Sequence, residues 1–232
     1  MAAIAEPELI VVLDFDTREE AMKTVSLCKG CDWFKVGAQL FTRCGPEAVR
    51  DILNAGKNVF LDLKYHDIPN TVGKAAAAAA GLGAKLITVH ASGGARMLEA
   101  ARAGVEGTPA RILAVTVLTS LSDTMLTEEL GMDSSVVRTV PRWARMAVNA
   151  GAHGIVCSPH EIKIVRDGVG PEPLIVTPGI RPDWAAQNDQ VRVTTPRQAV
   201  ESGANMVVVG RPILHHSNPA EAVSLIKKEL SL

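Results

Sequence analysis

Asn58-Val59-Phe60-Leu61-Asp62-Leu63-Lys64-Tyr65-His66-Asp67 is the stretch on which the fold turns. Its first four residues form a short apolar run, the mark of a strand buried on both faces as in a parallel sheet. Charges follow at once, where such a strand would finish. Seven more runs of the same kind lie at residues 9–13, 33–36, 86–89, 112–115, 154–157, 174–176 and 206–209. Each is rich in β-branched residues and bounded by Gly, Pro, Asp or Asn. Helix-like segments lie between them at 17–27, 46–54, 71–81, 141–150, 159–167, 196–202 and 219–228. Thr17 offers an N-cap with acids in the first turn. Pro46 is a natural first residue, and Gly56 a natural stop. Residues 75–80 are all alanine, the best helix former, whose small side chain lets a helix lie close to a sheet.

Eight strands alternating with helices predict an α/β chain folded as one (β/α)8 TIM barrel over residues 1–232. A doubly wound open sheet fits less well, because it usually has five or six strands and no G-x-G-x-x-G follows the first strand. The longest irregular stretches, 119–133 and 181–194, are expected as loops at the C-terminal mouth, where function sits in this fold.

The composition excludes several classes. The chain has 232 residues, 47% hydrophobic and 21% charged, enough for a large core. A net charge of −1 gives no electrostatic footprint for nucleic acid or an acidic membrane. The N-terminus lacks the basic start and apolar run of a signal peptide, and no apolar stretch reaches the roughly 18 residues of a membrane span. Cys28, Cys31, Cys44 and Cys157 do not form a disulfide framework in a chain this long. Cys28 and Cys31 make a C-x-x-C, but it sits where a helix should end, and the second pair that a metal site needs is missing. A soluble cytoplasmic protein is expected.

The charges at the strand ends are the informative feature. Strand one ends in Asp14 and Asp16, strand two carries Lys35, strand three runs into Asp62 and Lys64, and strand four ends at His90. Regular alternation puts Asp62 and Lys64 on one face, about 7 Å apart. Lys35 lies within Trp33-Phe34-Lys35-Val36-Gly37, and a lysine among apolar neighbours needs a charged partner. Asp14 and Asp62 are the natural ones. Lys64 among carboxylates is held as an ammonium, a proton donor and not a Schiff-base nucleophile. Structural roles suffice for three others: Asp16 as a helix cap before Thr17, His66 as a hydrogen-bonder, and His90 as a brace at the mouth.

Two later segments read as an anion grip. Val176-Thr177-Pro178-Gly179-Ile180-Arg181 follows strand seven and Val209-Gly210-Arg211-Pro212-Ile213 follows strand eight, the loops that commonly bind phosphate in (β/α)8 enzymes. Gly179 and Gly210 let backbone N–H groups approach the oxygens, and Arg211 offers a planar fork of donors.

With these residues in place, the stretch Phe60-Leu61-Asp62-Leu63-Lys64-Tyr65-His66-Asp67-Ile68-Pro69-Asn70-Thr71 resembles the signature of the bacterial-type orotidine 5′-phosphate decarboxylase family. The resemblance extends through Leu13-Asp14, residues 34–37, 90–94, 115–120, 177–181 and 189–192, and Gly210-Arg211. It implies conversion of orotidine 5′-phosphate to UMP and carbon dioxide in de novo pyrimidine synthesis, with no metal and no organic cofactor, by a homodimer with shared active sites. Residue by residue, Lys64 matches the proton donor to C6 of the pyrimidine. Lys35, Asp62 and Asp67 match its charged network, with Asp67 reaching in from the other subunit. Asp14 and Lys35 match ribose contacts, Ile68 and Thr71 contacts across the dimer interface, and Thr119 the loop beside the base. Arg181, Gln190, Gly210 and Arg211 match the phosphate-side group. Two alternatives stay open. Hexulose-phosphate synthases and ketogulonate-phosphate decarboxylases share D-x-K-x-x-D but bind Mg2+, with a glutamate in place of the strand-two lysine. A non-catalytic nucleotide-binding barrel would keep the phosphate grip and lose the acid–base residues.

Overall fold

Strand alternation and parallel pairing govern the architecture. The computed structural model describes residues 6–185 and 194–231. The strands are β1 (Glu8–Val12), β2 (Trp33–Gly37), β3 (Asn58–Tyr65), β4 (Leu86–His90), β5 (Arg111–Val115), β6 (Gly154–Val156), β7 (Leu174–Thr177) and β8 (Met206–Val209). Each pairs in parallel with the next, and β1 pairs with β8, with Leu9 opposite Val207, so the sheet closes into a (β/α)8 barrel. The helices are α1 (Arg18–Leu27), α2 (Ala38–Cys44), α3 (Glu47–Asn54), α4 (Pro69–Gly81), α5 (Ala95–Gly104), α6 (Val136–Asn149), α7 (Ile162–Val169), α8 (Pro196–Glu201), α9 (Arg211–Leu214) and α10 (Pro219–Leu230). Among the described residues no helix is long and apolar enough to cross a membrane.

Several elements differ from the sequence expectation. β3 runs four residues past its apolar stretch, through Asp62 and Lys64 to Tyr65. Helices α2, α5 and α9 are not among the segments read from the sequence. α6 begins at Val136, not at Pro141, which lies inside it. Proline there removes one intrahelical bond, to the carbonyl of Val137, an exposed residue whose oxygen water can serve. Thr17, not Asp16, caps α1: its side chain accepts the Glu20 N–H. Asp16 turns instead to α2, accepting from Gln39 at 2.9 Å and pairing with Arg43 at 3.4 Å. The expected loop at 119–133 contains a π-helical turn, Met125–Glu129.

Alternation divides the core into two layers. Leu9, Val11, Phe34, Val36, Val59, Leu61, Ile87 and Val89 pack between the sheet and the helices. Ile10, Val12, Phe60, Leu86, Leu113, Val176, Met206 and Val208 fill the barrel. The interior is therefore a packed plug, and the charged side chains of the C-terminal mouth stand above it. The alanine tract of α4 packs chiefly along α5, with Ala76 and Ala79 buried.

Gly154 marks the tightest point of the plug. A Cβ there would stand 2.6 Å from the Leu174 carbonyl oxygen and 2.8 Å from Leu113 Cδ2. Gly154→Ala is expected to lower stability by about 1–3 kcal/mol, the usual cost of overpacking, read as an earlier midpoint in urea unfolding.

Candidate active site

Four neighbouring strands deliver charges to one mouth. Lys35 rises from β2, Asp62 and Lys64 from β3, Thr88 and His90 from β4, and Asp14 follows β1. Lys64 Nζ lies 2.8 Å from both Asp62 oxygens. Lys35 Nζ lies 3.2 Å from Asp14 Oδ1 and 3.5 Å from Asp62 Oδ2. The Asp62 and Lys35 side chains are 11% and 12% exposed and Lys64 is 36% exposed. Of these three, Lys64 is the most exposed. Burial by itself would raise the Asp62 carboxyl. The Lys35 and Lys64 ammoniums, with hydrogen bonds from Lys64 and Thr88, outweigh it and hold Asp62 below the ordinary carboxylate range.

The backbone at Lys64 is unusual. Its φ of 50° is the only positive value among the described non-glycine residues, a conformation costing about 1–2 kcal/mol. The β3–β4 pairing is irregular between Leu61 and Tyr65. Simple alternation is therefore not what brings Lys64 to Asp62. The irregularity re-aims it, as bulges beside functional sites do.

Two contributing residues were missed in the sequence. Thr88 is fully buried and bonds both Asp62 and the Lys64 backbone. In sequence it is one β-branched residue in a strand, with no signal of its role. Gly37 pairs with Asp62 across β2 and β3, and a Cβ on it would come within 2.7 Å of Lys35 Nζ. Its small size makes room for that ammonium, for which a glycine directly after a buried-lysine strand was a readable hint.

His90 is half-buried, and its pKa is lowered by burial first, then by His66 and Lys64. Its ring centroid lies 5.3 Å from that of His66, which approaches Ser92 Oγ at 3.5 Å. This suits the hydrogen-bonding role expected of His66 and the bracing role expected of His90. Cys28 and Cys31 are free and buried, with thiols pushed up to about 11 and about 12 by burial, so at neutral pH neither is a reactive thiolate.

A cavity of about 380 Å3 opens over the charges, a volume that suits a small ligand. Val12, Phe60, Val156 and Val208 form an apolar floor, the top of the barrel plug. Asp14, Lys35, Asp62 and Lys64 stand at one side, and Thr119, Gly179, Arg181, Gly210 and Arg211 also line it. Gly179 takes a left-handed φ of 79°. The Arg181 N–H donates to the Thr194 carbonyl at 3.1 Å. Gln190 lies outside the described residues. Asp67, Ile68 and Thr71 do not line this cavity. They lie exposed at the start of α4, where Asp67 Oδ1 accepts the Ile68 N–H at 2.6 Å.

The fold and site define a barrel of the enzyme class, with a lysine–aspartate array at its C-terminal mouth and arginines across the cavity. Residues 7–226 match the model of the orotidine 5′-phosphate decarboxylase / HUMPS family, and the chain belongs to that family. It is 48% identical to the orotidine 5′-phosphate decarboxylase of Heliobacterium modesticaldum, over 98% of this chain and 97% of that one. It is 55% identical to the corresponding enzyme of Anaeromyxobacter sp. strain K, over 83% and 84% of the two chains. Among solved structures, orotidine 5′-phosphate decarboxylase from Lactobacillus acidophilus superposes with a TM-score of 0.87 at 39% identity, covering 97% of this chain and all of that one.

The depressed Asp62 carboxyl links the site to stability. The unfolded chain binds its proton more readily than the folded one, so stability rises with pH in this range. The contribution is whole above the ordinary value of 3.8 and fades as pH falls through the folded-state pKa. Between about pH 5 and about pH 2, the native chain should lose more stability than Asp62→Asn, as read by urea midpoints across that window.

Proposed function

We propose that the chain decarboxylates orotidine 5′-phosphate to UMP and carbon dioxide in pyrimidine synthesis. One observation carries the mechanism: the Lys64 ammonium, pinned 2.8 Å from both oxygens of Asp62 at the wall of an otherwise apolar-floored cavity. In this reaction the C6–carboxylate bond breaks and its electron pair stays on C6, in the ring plane, where the π-system delocalises it poorly. A fixed ammonium stabilises that localised charge and then gives C6 a proton. Solvent restores the proton to Lys64 after the product leaves. Asp62 stands where it meets the departing carboxylate, and it also holds Lys64 in place. Lys35 balances Asp62 and, with Asp14, faces the ribose.

Arg181, Gly210 and Arg211 hold the phosphate, a group to which the family resemblance adds Gln190, and Thr119 lies beside the base. The phosphate is remote from C6, so its binding energy offsets desolvation at the ring. We further propose a homodimer of single-domain subunits. Ile68 is 65% exposed, and with Asp67 and Thr71 it forms a lip suited to reaching a second copy's site. A soluble nucleotide substrate suits work in the cytoplasm.

The Mg2+-dependent reading within the same family is less favoured. Lys35 already supplies the positive charge between Asp14 and Asp62 that a divalent ion would bring. Loss of orotidine 5′-phosphate, followed by its ultraviolet absorbance, should proceed fully with chelator present, and a requirement for added Mg2+ would favour the rival. Lys64→Ala should lose at least the roughly 10²–10⁴-fold typical of a general acid, and near-normal turnover would remove it from the chemistry. Arg211→Ala should lower kcat/KM by at least about 2 kcal/mol, the scale of a lost charge-assisted contact.

A further inference from the structure

We infer that Thr88 is a positioning residue for this site: its hydroxyl ties the Lys64 backbone to the Asp62 carboxylate and so sets where the Lys64 ammonium stands. The inference rests on the decarboxylase function proposed above.

Thr88 lies on β4, on the face it shares with Leu86 and His90, and has no exposed surface. A hydroxyl has one proton to give and lone pairs to accept. Asp62 Oδ1, 3.0 Å away, is a carboxylate oxygen and accepts. The Lys64 backbone N–H, 2.9 Å away, donates. The hydroxyl therefore has one orientation that serves both partners. No other rotamer of that proton satisfies Asp62.

The local strand geometry explains why a side chain is needed. From the Leu61–Ile87 pair to the Tyr65–Val89 pair, β3 advances four residues while β4 advances two. The extra residues leave the backbone ladder interrupted where Lys64 takes its left-handed φ. The Thr88 hydroxyl receives the Lys64 N–H there, in place of a backbone carbonyl. It thereby holds the backbone of one partner and the carboxylate of the other in a single rigid contact.

The test uses the full chain as native protein, Thr88→Val and Thr88→Ser. Valine keeps the shape and removes both hydrogen bonds, while serine keeps the bonds and drops a methyl. For Thr88→Val, kcat on orotidine 5′-phosphate should fall about tenfold to a hundredfold, the scale of a small misplacement of a reacting group. KM should change less than about threefold, and Thr88→Ser should restore kcat to within about threefold of native. The Asp62 carboxyl, followed by carbon-13 NMR, should titrate higher in Thr88→Val, because a bond to its charged form is lost. The groups facing it are Lys35 from β2, Lys64 on its own strand and His90 from β4, with Asp14 beyond Lys35 and His66 beyond His90. Comparing two variants that leave all of these in place isolates the hydroxyl.

Native kcat in Thr88→Val would overturn the inference. So would equal losses in the Val and Ser variants, which would make Thr88 a packing residue. If Thr88→Val does not fold, Thr88→Ala is compared with Thr88→Ser in its place. If the native chain itself fails to decarboxylate orotidine 5′-phosphate, the proposed function falls. Thr88 is then judged by the Asp62 titration alone, and an unchanged titration in Thr88→Val overturns its role.

Discussion

A carboxylate held in a nearly closed site between two ammoniums is the constraint on which the rest of the mouth depends. Removing a charge from water costs several kcal/mol unless partners compensate it, and Asp62 has Lys35, Lys64 and the Thr88 hydroxyl around it. The arrangement is reciprocal. Lys35 is almost as buried as Asp62 and needs carboxylate partners as Asp62 needs ammoniums, whereas Asp14 is half exposed and has water beside it. Asp62 is the member common to both lysines, and removing it would leave Lys64 without its carboxylate partner and Lys35 with Asp14 alone.

The parallel register makes that arrangement possible. Lys35 lies opposite Phe60, and Gly37 opposite Asp62. The position across from the carboxylate thus carries no side chain, and the Lys35 ammonium occupies that space. One step lower, Phe60 caps the apolar plug. Stability and chemistry are stacked along the same strands, with the plug below and the charges above, and the boundary falls between Phe60 and Asp62.

Lys64 shows what this layout costs. Its left-handed backbone and the interrupted ladder beside it are unfavourable locally, and they persist because the surrounding barrel over-determines them. The benefit is direction: the ammonium faces the cavity while remaining bonded to Asp62. Strain of this kind at the mouth of a well-packed barrel fits the general trade between stability and activity.

The sequence alone determined the barrel, because eight short, mostly apolar runs alternating with helix-like segments have few other ways to bury both faces. It also determined the pairing of Lys35 with Asp14 and Asp62, because a lysine inside an apolar strand must find a carboxylate. The two arginine-bearing segments after β7 and β8 were legible from their order in the chain. Tertiary structure alone decided the rest. Pro141 signalled a helix start, yet α6 begins at Val136 and takes the proline inside, the missing bond falling at the exposed residue Val137, and Asp16 lost the cap to Thr17 once α2 came alongside. Thr88 and Gly37 act across strands distant in sequence, and their roles exist only when β2, β3 and β4 are in register. The turn of Lys64 out of regular alternation is likewise a property of two strands of unequal local length, which neither strand's sequence contains by itself.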